Sequence, residues 1–164
     1  MSDISDAIQS KCLAFGDRVI RLNDYLLSQA AVEHEEYKKS KFQKKGKPSS
    51  LFHHPSSISH HTSSIPVHLQ SVAALCNQLL RSGTSIGANN AEACNAISKA
   101  DFKSKSYIAL KEARESLYWI ELLHRNNYLD DKQFNSIYTD CEELVRILVA
   151  RCKKLDTELA GKVK

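Results

Sequence analysis

The chain has 164 residues, with 5 glycines, 3 prolines and a formal net charge of +4. That length suits one domain with a sizeable buried core. So few turn formers exclude an all-β fold of many short strands, and no apolar run reaches the roughly 18 residues that span a bilayer.

The segment Met1 to Asp6 is acidic and lacks the basic-then-apolar order of a secretory signal, so the expected location is the cytoplasm. Five cysteines, at positions 12, 76, 94, 141 and 152, are far apart and form no CxxC pair. Neither a disulfide framework nor a zinc site is expected, because reduced cysteine on an apolar stripe behaves as a small hydrophobe. The positive charge is local. Lys38, Lys39, Lys41, Lys44, Lys45 and Lys47 fall within ten residues that hold no acid, and removing those six charges from +4 leaves −2 for the rest.

The first predicted helix starts near residue 4. Ile8, Cys12, Phe15, Val19, Leu22 and Leu26 recur at alternating spacings of four and three, the seam of a bundle helix. Leu13, Ile20 and Leu27 flank that seam and are expected to widen the buried face. After Val32 the apolar pattern fades, and the helix is read as running to about Lys45 as a solvated extension, stopped by Gly46-Lys47-Pro48. Residues 48–66 form a Ser/His-rich, low-complexity stretch without helical or strand period. Residues 33–66 are therefore read as a basic, then Ser/His-rich, flexible insertion between helices 1 and 2 of a single domain.

A second helix begins around Val67. Its run Ser82-Gly83-Thr84-Ser85-Ile86-Gly87 resembles a phosphate-cradling loop in composition, but it lacks the Gly-Lys-Ser/Thr ending and follows a helix. The better reading places Gly83 and Gly87, four apart, on one helix face where a neighbour approaches closely. Ser98 and Asp101 mark the start of a third helix, running to about Arg125. Asp130 with Gln133 marks the start of a fourth. Leu144 to Ala150 is apolar around nearly the whole axis, as is Leu117 to Ile120. A bundle helix needs only one apolar stripe, so Trp119, Ile147 and Val149 are candidates for oligomer or helix packing. The fold class is all-α, an antiparallel up-down four-helix bundle with a long insertion between helices 1 and 2.

The run Gln78 to Asn89, with Glu92-Ala93, Asp101-Phe102, Ile108 to Glu115 and Tyr118-Trp119, resembles the bacterial four-helix bundle family first noted as products of intervening sequences in large-subunit ribosomal RNA genes. It is similar to the accessory variability determinant proteins of diversity-generating retroelements. The resemblance implies a ring-shaped homopentamer that binds a reverse transcriptase and its template RNA through basic surfaces, without being an enzyme. Relatives generally have a short connection where this chain has residues 33–66.

Three functions are weighed. In the first, the six lysines neutralise phosphates of RNA or DNA, with Phe42 and Tyr37 available to stack on bases. In the second, the chain is a protein-interaction adaptor without nucleic-acid binding. The third is a metal site at His53-His54 and His60-His61, which lacks carboxylates, cysteines and any rigid frame to orient the rings. No metal or other cofactor is expected. No enzymatic role is expected either, since Ser82, Thr84 and Ser85 have no histidine nearby in sequence to serve as base. Glu112 and Glu115 are expected to pair with Lys111 and Arg114, and Glu92 with Arg81 or Arg114.

Overall fold

The computed structural model describes residues 3–44 and 67–161, and the side chains of residues 5–41 and 69–161. Four helices occupy them: α1 (Asp3–Lys44), α2 (Val67–Cys94), α3 (Lys99–Arg125) and α4 (Asp131–Ala160). No strand occurs among the described residues. Lys45, Lys47 and the histidines at 53, 54, 60 and 61 lie outside them.

The helices form a closed square in which the backbone of each lies close to its two neighbours and not to the diagonal partner. Every adjacent pair is antiparallel, as cross-helix contacts show. Along α1 and α2, Gln9 bonds to the Gly87 carbonyl while Val19 lies against Gly83. Along α2 and α3, Glu92 pairs with Lys105 while Ser82 meets Ser116. Along α3 and α4, Lys99 pairs with Glu158 while the Cys141 thiol donates to the Ala113 carbonyl. Along α4 and α1, Glu143 pairs with Lys11 and Asp140 with Arg18. The architecture is an up-down four-helix bundle.

Its core follows the predicted seams. Ile8, Cys12, Phe15, Val19 and Leu26 of α1 meet Val72, Cys76, Leu79 and Ile86 of α2, with Ile120 and Leu123 of α3 and Ile137, Cys141, Leu144 and Leu148 of α4. Each fully buried aliphatic or aromatic side chain contributes roughly 1.5–3 kcal/mol. Leu13 and Ile20 depart from expectation. They are 60% and 44% exposed, because they sit on the outer flank of the seam, beyond the stripe that α2 covers.

The short connections are built by local side-chain chemistry. Ser98, in extended conformation, accepts a hydrogen bond from the Asp101 amide at 3.1 Å and starts α3. At α4, Asp130 accepts from the Gln133 amide at 2.7 Å, and Gln133 Oε1 accepts from the Asp130 amide at 3.0 Å, a reciprocal capping box. The end of α3 is a Schellman turn: Tyr128 N donates to Leu123 O and Asn127 N to His124 O. Asn127 takes the left-handed position with φ 61°, which asparagine tolerates better than most residues.

α1 differs from the others. Its 42 residues correspond to roughly 63 Å, against about 40–45 Å for its partners. Its last buried residue is Ala30, and from Ala31 to Lys41 every side chain is exposed except the half-buried His34. Residues 33–44 of the expected insertion are thus a continuation of α1.

Candidate nucleic-acid interface

The exposed end of α1 carries the first lysines of the basic block. Lys38, Lys39 and Lys41 are solvent-facing, and Lys44 lies in the last helical turn. Lys38 Nζ sits 3.0 Å from Glu35 Oε1, one turn back. That hydrogen bond and the Lys38 charge hold the Glu35 carboxyl below its ordinary value. Lys41 lies over the Tyr37 ring at 5.8 Å, and Tyr37 itself is exposed. The helix therefore presents amines and an aromatic face side by side, with Glu33, Glu35 and Glu36 on the turn that precedes them. Such a surface can meet phosphates through the amines and a base through the ring. Phe42 belongs to the described backbone only, so the arrangement rests on Tyr37.

Gly83 and Gly87 lie against α1. A Cβ at position 83 would stand 2.9 Å from Val19 Cγ2, and one at position 87 would stand 3.5 Å from Cys12 Cβ. α2 runs unbroken through this segment, so its amides serve the helix. The Ser82 hydroxyl bonds the Gln78 carbonyl at 3.1 Å, and Thr84 bonds that of Leu80 at 2.7 Å. Neither the backbone nor these hydroxyls form a phosphate loop. The Ser82 hydroxyl also lies 2.9 Å from that of Ser116, and both are buried at the α2–α3 contact.

Trp119, Ile147 and Val149 are half-buried at the margins of the core. Trp119 Nε1 donates to Glu115 Oε1 at 3.1 Å, one turn back. Glu115 is thereby engaged by an indole, and no ion pair joins Glu112 or Glu115 to Lys111 or Arg114. Partial burial, then the nearby Glu115 charge, push the Glu112 carboxyl up. Glu92 pairs with Lys105 of α3 instead of Arg81 or Arg114. Helical periodicity gives no register between neighbouring helices, so the partner was not readable from spacing.

Sequence reasoning also missed a polar network at the other end of the bundle. Arg151 Nη1 of α4 donates to Asn90 Oδ1 at 2.6 Å, Asn90 Nδ2 donates to Gln9 Oε1 at 2.5 Å, and Gln9 Nε2 reaches the Gly87 carbonyl at 3.4 Å. Asn90 is fully buried, and Arg151 stacks over the Phe102 ring at 5.5 Å. An asparagine on the buried face of an otherwise apolar helix was the available signal. Among the described residues no group of three or more His, Cys, Asp or Glu side chains could hold a metal ion, and no helix is long and apolar enough to cross a membrane.

Four antiparallel helices around one apolar core define the class, an up-down four-helix bundle protein. Within it, this chain belongs to the family described as 23S rRNA-intervening sequence protein, which matches residues 56–150. A solved structure from Bacteroides thetaiotaomicron, a protein with unknown function from the S23 ribosomal protein family, is 32% identical to it. The likeness covers 91% of this chain and 97% of that one, with a TM-score of 0.63. No curated protein matches the chain.

Proposed function

We propose that this chain is a non-enzymatic, self-assembling cytoplasmic scaffold that binds RNA or DNA through the basic end of α1. The reading extends to a homopentamer that serves a reverse transcriptase as the accessory factor of a diversity-generating retroelement. The observation that carries it is the overhang of α1: a helix continuing past its last buried residue, with lysines and Tyr37 exposed on it. A helix end with exposed side chains gains little from burial, so its charge pattern is free to serve a partner. Membership of a family named for an insertion in 23S ribosomal RNA genes supports the nucleic-acid class.

The test is binding to structured RNA and to duplex DNA across a salt series, beside a variant with all six lysines changed to Gln. The expected result is a linear fall of log affinity with log salt, with a slope of roughly −0.9 per phosphate neutralised on duplex, and most of that slope lost in the variant. An intact protein that fails to bind at physiological salt sinks the reading. Mass measurement in the same buffer tests the pentamer. The retroelement assignment fails if no reverse transcriptase gene neighbours this one or if the two products do not co-purify.

A second reading is favoured by Leu13 and Ile20, exposed and seven residues apart on one side of α1. It makes the chain a protein-interaction adaptor of the same fold without nucleic-acid binding. Retained partner binding in the six-lysine variant would select it.

A further inference from the structure

A concavity lies at the end of the bundle where α1 begins and α4 ends. Its volume is about 960 Å³, within the range of small-molecule sites. The N-terminal turns of α1, the α2–α3 turn, the start of α3 and the second half of α4 wall it, and most of its lining is apolar: Ile8, Ala93, Phe102, Ile147 and Leu155. Nothing in the nucleic-acid reading uses it.

One charged group is built into this apolar wall. The Arg151 guanidinium is half-buried, stacked over Phe102, and fixed through Asn90 and Gln9 to the Gly87 carbonyl. Three elements therefore set its position. Yet its one hydrogen-bond partner among the described residues is a neutral amide oxygen, and no carboxylate there pairs with it. A partly desolvated cation gains from an anionic partner, and of the five donors of the guanidinium the described residues use one. Lys154 lies three residues on, on the same side of α4, exposed and without an ion-pair partner among the described residues. Among the described residues the one carboxylate lining the cavity, Glu158, is engaged by Lys99 at 3.2 Å.

We infer that this cavity is a binding site for a small amphipathic carboxylate, such as a medium-chain fatty acid. The carboxylate meets Arg151, with Lys154 at the rim, and the apolar body lies along Ile8, Ile147 and Leu155. Guanidinium recognises a carboxylate by parallel hydrogen bonds, and the surrounding apolar wall strengthens them. A concave volume of this size favours a small molecule over the apolar C-terminus of another protein, which offers the same head group.

The experiment is calorimetric titration of the full chain with decanoate below its micellar concentration, with decanol as the uncharged control. Decanoate is expected to saturate one site per chain and to bind at least about tenfold more tightly than decanol. Arg151→Gln is expected to weaken decanoate by roughly 10- to 100-fold and leave decanol unchanged, the scale of a hydrogen bond to a charged group. Ala150→Trp, at an exposed α4 position lining the cavity, is expected to block both ligands while melting like the parent, so the test stays open if Arg151→Gln unfolds. Equal binding of decanoate and decanol overturns the inference. So does undiminished decanoate binding in a folded Arg151→Gln variant or in Ala150→Trp, or tighter binding of a peptide with an apolar C-terminal residue than of decanoate.

Discussion

Gly83 and Gly87 share one helix face but differ in what they tolerate. A methyl group at 83 meets Val19 at 2.9 Å, and Val19 is a buried, β-branched side chain with little rotamer freedom. Gly83→Ala should cost about 1 kcal/mol net, since crowding of roughly 1–3 kcal/mol outweighs the ~1 kcal/mol gained in helix propensity. Gly87→Ala meets only an ordinary contact at 3.5 Å and should gain about 0.5–1 kcal/mol. Chemical denaturation of the pair reads both signs. The cysteines give a second residue-scale prediction. Burial pushes the thiols of Cys12 and Cys76 up to about 11 and that of Cys141 up to about 12. The folded state thus holds these protons above pH 9.0, where the unfolded chain releases them, so stability is full below that value and falls as pH rises towards 11–12. At pH 8 and native conditions, half-exposed Cys94 should be alkylated well before these three, with mass spectrometry as the readout.

The helix starts at Ser98 and Asp130 could be read from the chain because a cap is a contact between residues three apart, complete within the sequence window that encodes it. Asp130→Ala removes one arm of the α4 capping box and leaves the Gln133 amide without its side-chain acceptor. The expected cost is about 1 kcal/mol, a fall in melting temperature of roughly 2–4 °C for a chain of this size. What lay outside that window could not be read. The pairing of Glu92 with Lys105 depends on how α2 and α3 slide past one another, and a helical period is the same at every register. The Arg151–Asn90–Gln9 network joins positions up to 142 residues apart, and its sequence trace was a single polar residue on an apolar stripe. The overhang of α1 was legible, because Glu, Lys and Gln keep helix propensity after the apolar seam ends.

On the scale of the molecule, apolar side chains could be counted from the sequence, but which of them the bundle covers could not. Leu13 and Ile20 fit the apolar pattern of α1 and stand exposed, while Ile147 and Val149, equally apolar, are tucked at the core margin. The surface pair is the place to test assembly. The double substitution Leu13→Lys and Ile20→Lys should leave the melting temperature of the fold within a few degrees, since exposed substitutions are typically within about ±0.5 kcal/mol. Sedimentation should then show a smaller particle if these residues form the contact between copies. An unchanged mass assigns assembly to another face.

The uneven joining of the four helices bears on the order in which the chain folds. α2, α3 and α4 follow one another through turns of four and five residues, whereas 22 residues separate Lys44 from Val67. Closing the two short turns costs little chain entropy, and their contacts are between near neighbours in sequence. α1 must instead be recruited across the long connection. It meets α4 largely through half-exposed polar pairs, Lys11 with Glu143 and Arg18 with Asp140, which reward the closure only weakly. Connectivity therefore predicts that the three-helix portion forms early and α1 joins late, seated in the groove that Gly83 and Gly87 leave open. Low φ-values along α1 would bear that order out, and high ones would overturn it.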